Sequence, residues 1–114
     1  MTMQMVNFTV HDETVVMTRK LLTIEQFRDE RARKLATKHF LTGLTQMFTH
    51  VFSGMMEKGL LRRDDPAMLA FAYTAPISVL IHLCDREPDK ISEALAQVEA
   101  FSRHFIKTYG VTND

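Results

Sequence analysis

The sequence predicts an all-α domain of four to five helices. Three observations carry that reading: apolar residues recur every three to four positions over long stretches, acid-proline pairs at Asp65-Pro66 and Glu87-Pro88 mark helix starts, and nineteen consecutive residues, 66–84, contain no Asp, Glu, Lys or Arg. The chain has 114 residues, of which 46% are hydrophobic and 25% charged, with four Gly and three Pro; this is the balance of one folded domain with one core.

Residues 1–10 nearly alternate apolar and polar side chains, a strand pattern with no second strand to pair with. Residues 1–11 are therefore expected to be a tail or the remnant of an upstream segment, residues 12–110 the domain, and residues 111–114 a second tail. Asp12 is placed to cap a first helix over residues 13–27, with Val15, Val16, Leu22 and Ile24 as its apolar contacts. A longer second helix starts near Asp29, because Ala32, Leu35, Ala36, Phe40, Leu44, Met47, Phe48, Val51, Phe52 and Met55 recur at helical spacing. Gly59 ends it as a left-handed cap. A third helix runs from Pro66 to about Asp85, and a fourth begins after Pro88, carries Ile91, Leu95, Val98, Phe101, Phe105 and Tyr109 in one stripe, and closes at Gly110.

The third helix has no polar face. It is long enough to raise the question of a membrane span, but Tyr73, Thr74, Ser78 and His82 weaken its hydropathy, and the other helices are amphipathic; a buried core helix is the better reading and no membrane partner is expected. A helix apolar nearly all round must be covered nearly all round, and a second copy of the chain is the economical cover. The expected homodimer face is Met68, Ala72, Ala75, Val79 and Leu83 of the third helix with Val98, Phe101 and Phe105 of the fourth, the small alanines allowing close approach. Pro76 cannot donate to the carbonyl four residues back, so a kink or local irregularity is expected beside it.

Such an irregularity opens space. The chain holds eight Met, and flexible thioethers suit a site that adapts to apolar ligands, although such a stripe on the second helix is more often simply core. The expected ligand-binding residues are Phe27 at the end of the first helix, Met47, Phe48, Val51, Phe52 and Met55 on the second, and Phe71, Ser78 and His82 on the third, for a small apolar or aromatic effector.

Fourteen basic and fourteen acidic residues cancel and are interleaved, so no basic face is offered to phosphates, and nucleic-acid binding by this chain is a poor fit. The single cysteine, Cys84, excludes an internal disulfide and fits a reducing compartment; cytoplasm is expected. The five histidines lack metal-ligand spacing: His39 and His50 share a helix face but stand roughly 16 Å apart. No phosphate loop, nucleophile elbow, carboxylate pair or cofactor motif is visible, so neither metal nor cofactor is expected and catalysis has no anchor.

Four segments in order, 19–28 (RKLLTIEQFR), 56–69 (MEKGLLRRDDPAML), 75–77 (API) and 85–88 (DREP), resemble the C-terminal regulatory domain of TetR-family transcriptional regulators over about residues 12–110. The resemblance implies an effector-binding and dimerisation domain whose last two helices pair across a two-fold axis as a four-helix bundle, with a ligand cavity between the earlier helices. DNA would be read only through a helix-turn-helix domain that these residues do not contain. The alternative is a free-standing helical dimerisation module without a small-molecule ligand.

Overall fold

Five helical rods make up residues 2–111, the part of the chain that the computed structural model describes. Met1 and residues 112–114, the greater part of the expected second tail, lie outside the described residues. The rods are α1 (Thr2–His11), α2 (Glu13–Glu25), a rod formed by α3 (Glu30–Thr37) and α4 (Gly43–Glu57) joined through a π-helical turn (Lys38–Thr42), α5 (Pro66–Arg86), and α6 (Ile91–Tyr109). The all-α class is as the sequence predicts.

Caps fix the starts. Asp12 accepts from Val15 N–H at 3.0 Å, Asp29 from Arg31 N–H at 2.8 Å, and Asp65 from the N–H groups of Ala67 and Met68, with Pro66 at the first helical position. Gly59 has φ +76°, the left-handed closure expected after α4. Gly110 ends α6 differently, in extended backbone; Leu61 bridges to it, and a Cβ there would sit 2.4 Å from the Ile106 carbonyl oxygen, so its missing side chain permits the approach.

Residues 2–11 are not a tail. Met3, Val6 and Val10 satisfy helical spacing as well as the alternation does, and tertiary contact decides between the two: Val6 and Val10 are buried in the core against α5 and α6. α2 also departs from expectation. Ile24 is exposed, and the residue that α2 buries is Arg19. The second helix is continuous but not uniform: Gly43 N–H bonds to the Lys38 carbonyl five residues back, and a Cβ at Gly43 would meet that oxygen at 2.7 Å. α5, in contrast, runs unbroken through Pro76.

α5 is the axis of the fold. Leu69, Ala70, Tyr73, Thr74, Ile77, Leu80, Ile81 and Cys84 are buried, packed against α4, α6 and α1. Tyr73 centres an aromatic cluster, 4.7 Å from the Phe105 ring, 5.1 Å from Phe48 and stacked at 5.6 Å on Phe101. Its hydroxyl donates to Thr2 Oγ1 at 2.8 Å and lies 2.9 Å from Ser102 Oγ, tying α1, α5 and α6. Val98 and Phe105, expected at the dimer face, are therefore core residues, and Phe101 belongs to the same cluster. An amphipathic helix has one apolar stripe, and that of α6 is taken by its own chain.

One buried ion pair locks α2 onto the end of α5. Arg19, 3% exposed, donates from Nε and Nη2 to the two oxygens of Asp85, the second at 2.6 Å, and from Nη1 to the Thr9 carbonyl of α1 at 3.0 Å. The molecule is a slab of 51 × 31 × 17 Å, under two helix diameters thick. Its radius of gyration, 15.4 Å, exceeds the about 13 Å of a compact domain of this length. α5 meets the length and hydropathy of a membrane span, yet only 44% of its most apolar window is buried, so one side of the core helix stands open.

The Arg19 pair yields a direct test. Asp85→Ala strands a buried guanidinium and is expected to cost about 3 kcal/mol in urea denaturation, whereas the double variant Arg19→Met/Asp85→Leu regains most of the loss. A cost for Asp85→Ala below about 0.5 kcal/mol, typical of a surface pair, contradicts the assignment.

Candidate functional site

The open side of α5 and the neighbouring face of α4 enclose a cleft of about 1050 Å³, at the upper end of the range for small-molecule sites. α5 supplies Phe71, Thr74, Ala75, Ser78, Val79 and His82; the π-turn supplies Phe40, Leu41 and Thr42; α4 supplies Thr45, Gln46, Thr49, His50 and Ser53; Pro66 and Ala67 close one end. None of these is Asp, Glu, Lys or Arg.

The wall is apolar although many of its residues carry polar groups. Thr45 donates its hydroxyl hydrogen to the Leu41 carbonyl, Thr49 to Thr45 and Thr74 to Ala70, all at 2.7–2.9 Å, so the hydroxyls are turned back onto their own helices. Thr45 and Thr74 also meet between α4 and α5, with 3.4 Å between their oxygens. Ser78 and His82 on α5 are half-buried and have no such backbone tether, and on the facing wall half-buried Ser53 and exposed Thr42, Gln46 and His50 are likewise untethered, so polar points able to orient a ligand stand on both sides. The His82 ring stands edge-on to Phe40, centroids 5.3 Å apart at 87°. Burial lowers the His82 pKa below the usual imidazole value; Asp85 opposes the shift, and Arg19 and Arg86 add to it. Burial likewise raises the Cys84 thiol, a packed core residue away from the cleft.

Of the nine expected ligand residues, Phe71, Ser78 and His82 line the cleft. Phe48 and Phe52 are in the aromatic core, with Val51 and Met55 packed against it. Phe27 is 86% exposed beyond the end of α2, and Met47 is exposed on α4; neither lines the cleft. The face that α4 turns to the cleft is a neighbouring one, Thr45, Gln46, Thr49, His50 and Ser53, continued by Thr42 of the π-turn. The signal for it was a run of hydroxyl residues at spacings of three and four, 42, 45, 49 and 53, on a helix whose other face is apolar. Of the α5 dimer face, Met68, Ala72 and Val79 are exposed and Ala75 and Leu83 half-buried; Ala75 and Val79 also border the cleft. Among the described residues, no group of three or more His, Cys, Asp or Glu side chains is placed to hold a metal ion.

Comparison with protein-family models, curated proteins and solved structures finds no match to this chain.

The lowered pKa of His82 sets a sign. In the unfolded chain the imidazole takes up its proton near 6.5, and in the folded chain only at lower pH, so stability is full above 6.5, falls as the pH drops below it, and levels off below the folded value. Thermal unfolding from pH 7.5 to pH 5 is expected to show a smaller loss in His82→Gln than in the parent chain. Equal losses contradict a desolvated His82.

Proposed function

We propose that this chain is the effector-sensing and dimerisation domain of a TetR-like transcriptional regulator, acting in the cytoplasm and reading DNA through a helix-turn-helix carried elsewhere in the regulator. The observation that carries the reading is the uncharged cleft between α4 and α5, a pocket of ligand size on the open side of the central helix. Its effector is a small apolar or aromatic molecule. The order of the segments 19–28, 56–69, 75–77 and 85–88 supports the family assignment, and the all-α architecture is consistent with it.

In this reading α5 serves two partners from adjoining faces. Phe71, Ser78 and His82 face the ligand, whereas Met68 and Ala72 lie outside the cleft and face a second copy. The slab shape and the exposed side of an uncharged helix support a partner, since a contiguous apolar face is seldom left in water. With Val98 and Phe105 in the core, the contribution of α6 to a four-helix interface falls to its outer residues Ala96 and Ala100. Regulation then follows as a population shift: an effector binding one arrangement of α4 and α5 more tightly draws the dimer toward it and changes the presentation of the DNA-reading heads.

The exposed Met68, Phe71 and Val79 also favour a second reading, a helical dimerisation module with no effector. Thermal shift against a panel of uncharged apolar and aromatic compounds separates the two. A ligand at a hundred times its dissociation constant is expected to add about 2.7 kcal/mol, and a flat panel with an intact dimer favours the module. For the dimer, molar mass in solution at micromolar concentration is expected to be twice that of the chain. Ala72→Glu, at an exposed position outside the cleft, is expected to give a folded monomer that still binds the effector; a monomeric parent chain contradicts the dimer.

A further inference from the structure

Adjoining the cleft is a second, smaller space of about 270 Å³, lined by α1, α2, the π-turn, α4 and α5 and partly open to solvent past the exposed Phe8 and His39. Three residues, Phe40, Ser78 and His82, border both spaces. Phe40 sits in the π-turn, a geometry that recurs at functional sites because its extra residue re-aims a side chain. Its walls are mainly apolar, Met5, Phe8, Val15, Leu44 and Ile81, with Thr9 and His39 at polar points, and its volume suffices for a short hydrocarbon segment. Arg19 reaches the inner space, but its charge is answered by both Asp85 oxygens, so no free cation awaits an anion there.

We propose that the two spaces form one bipartite site for an elongated uncharged ligand, with an apolar tail in the inner chamber, a hydroxyl or carbonyl at Ser78 and His82, and Phe40 as the gate between them. The inference rests on the reading of the outer cleft as the ligand site and adds the ligand's shape and charge. It also explains how occupancy is felt beyond α4 and α5: the inner chamber is the place where α1 and α2 meet a bound molecule.

The test is a series of straight-chain primary alcohols from pentanol to dodecanol, with the matching carboxylates, titrated calorimetrically into the full chain. Affinity is expected to rise about fourfold per added methylene while the chain extends into apolar surroundings, then to stop at one length. Val15→Phe narrows the inner chamber and is expected to move that limit to shorter alcohols. Leu44→Phe serves the same purpose should Val15→Phe fail to fold. The carboxylates are expected to bind roughly tenfold or more weakly than alcohols of equal length, since the site offers no free cation. An unchanged limit in a folded chamber variant overturns the bipartite site and leaves the outer cleft standing. Carboxylates binding as well as alcohols overturn the requirement for an uncharged ligand. No binding by any alcohol overturns this proposal together with the reading on which it rests.

Discussion

Everything in this molecule follows from a core helix that has no charged residue between its Asp65 cap and Asp85. Such a helix cannot rest on one neighbour. α4, α6 and α1 close around the side bearing Leu69, Tyr73, Ile77, Leu80 and Cys84, and Tyr73 brings three of these rods together through its ring and hydroxyl. With that side filled, the remaining rods are used up, and the side bearing Met68, Phe71 and Val79 stays open. The cleft and the expected dimer face are two consequences of this one shortage of cover.

Polar groups are managed so that the open side remains neutral. Among the described residues the one charged side chain in the buried set, Arg19, is placed at the far end of α5, where it finds both Asp85 oxygens and a carbonyl from α1. Breaking such a pair costs more than the pair contributes, so its value lies in fixing how α2 and α1 seat on α5. Along the cleft the threonines of α4 and α5 answer their hydroxyls with carbonyls of their own helices. Those threonines therefore present methyl groups to the cleft, and the polar groups left to choose a ligand are Ser78 and His82 on α5 and Gln46, His50 and Ser53 on α4.

The sequence made the class and most boundaries legible because the signals there are local. Asp12 and Asp65 cap the helices they were expected to start, the second long helix begins beside Asp29, Pro66 starts α5, and Gly59 takes the left-handed turn. What was not legible depended on distant partners. Residues 2–11 fit a strand and a helix equally well until Val6 and Val10 meet α5 and α6. Val98 and Phe105 are as apolar as an interface requires, and only the fold shows that the partner is their own chain. The ligand residues were sought on the apolar stripe of α4, but a stripe is consumed by the core, and the cleft falls to the small hydroxyl residues beside it. Phe71, Ser78 and His82 were legible because on a helix apolar all round a polar-edged strip is the informative exception.

The central claim is that ligand and core lie on opposite faces of α5. Nuclear Overhauser contacts from a bound uncharged aromatic alcohol, such as phenylethanol, to methyl groups labelled in Leu, Val, Ile and Ala measure this most directly. The account requires contacts to Leu41, Ala75 and Val79, which line the cleft, and none to Val6, Ile77 or Val98, which are sealed in the core. Contacts to the sealed methyls without those of the cleft would contradict it.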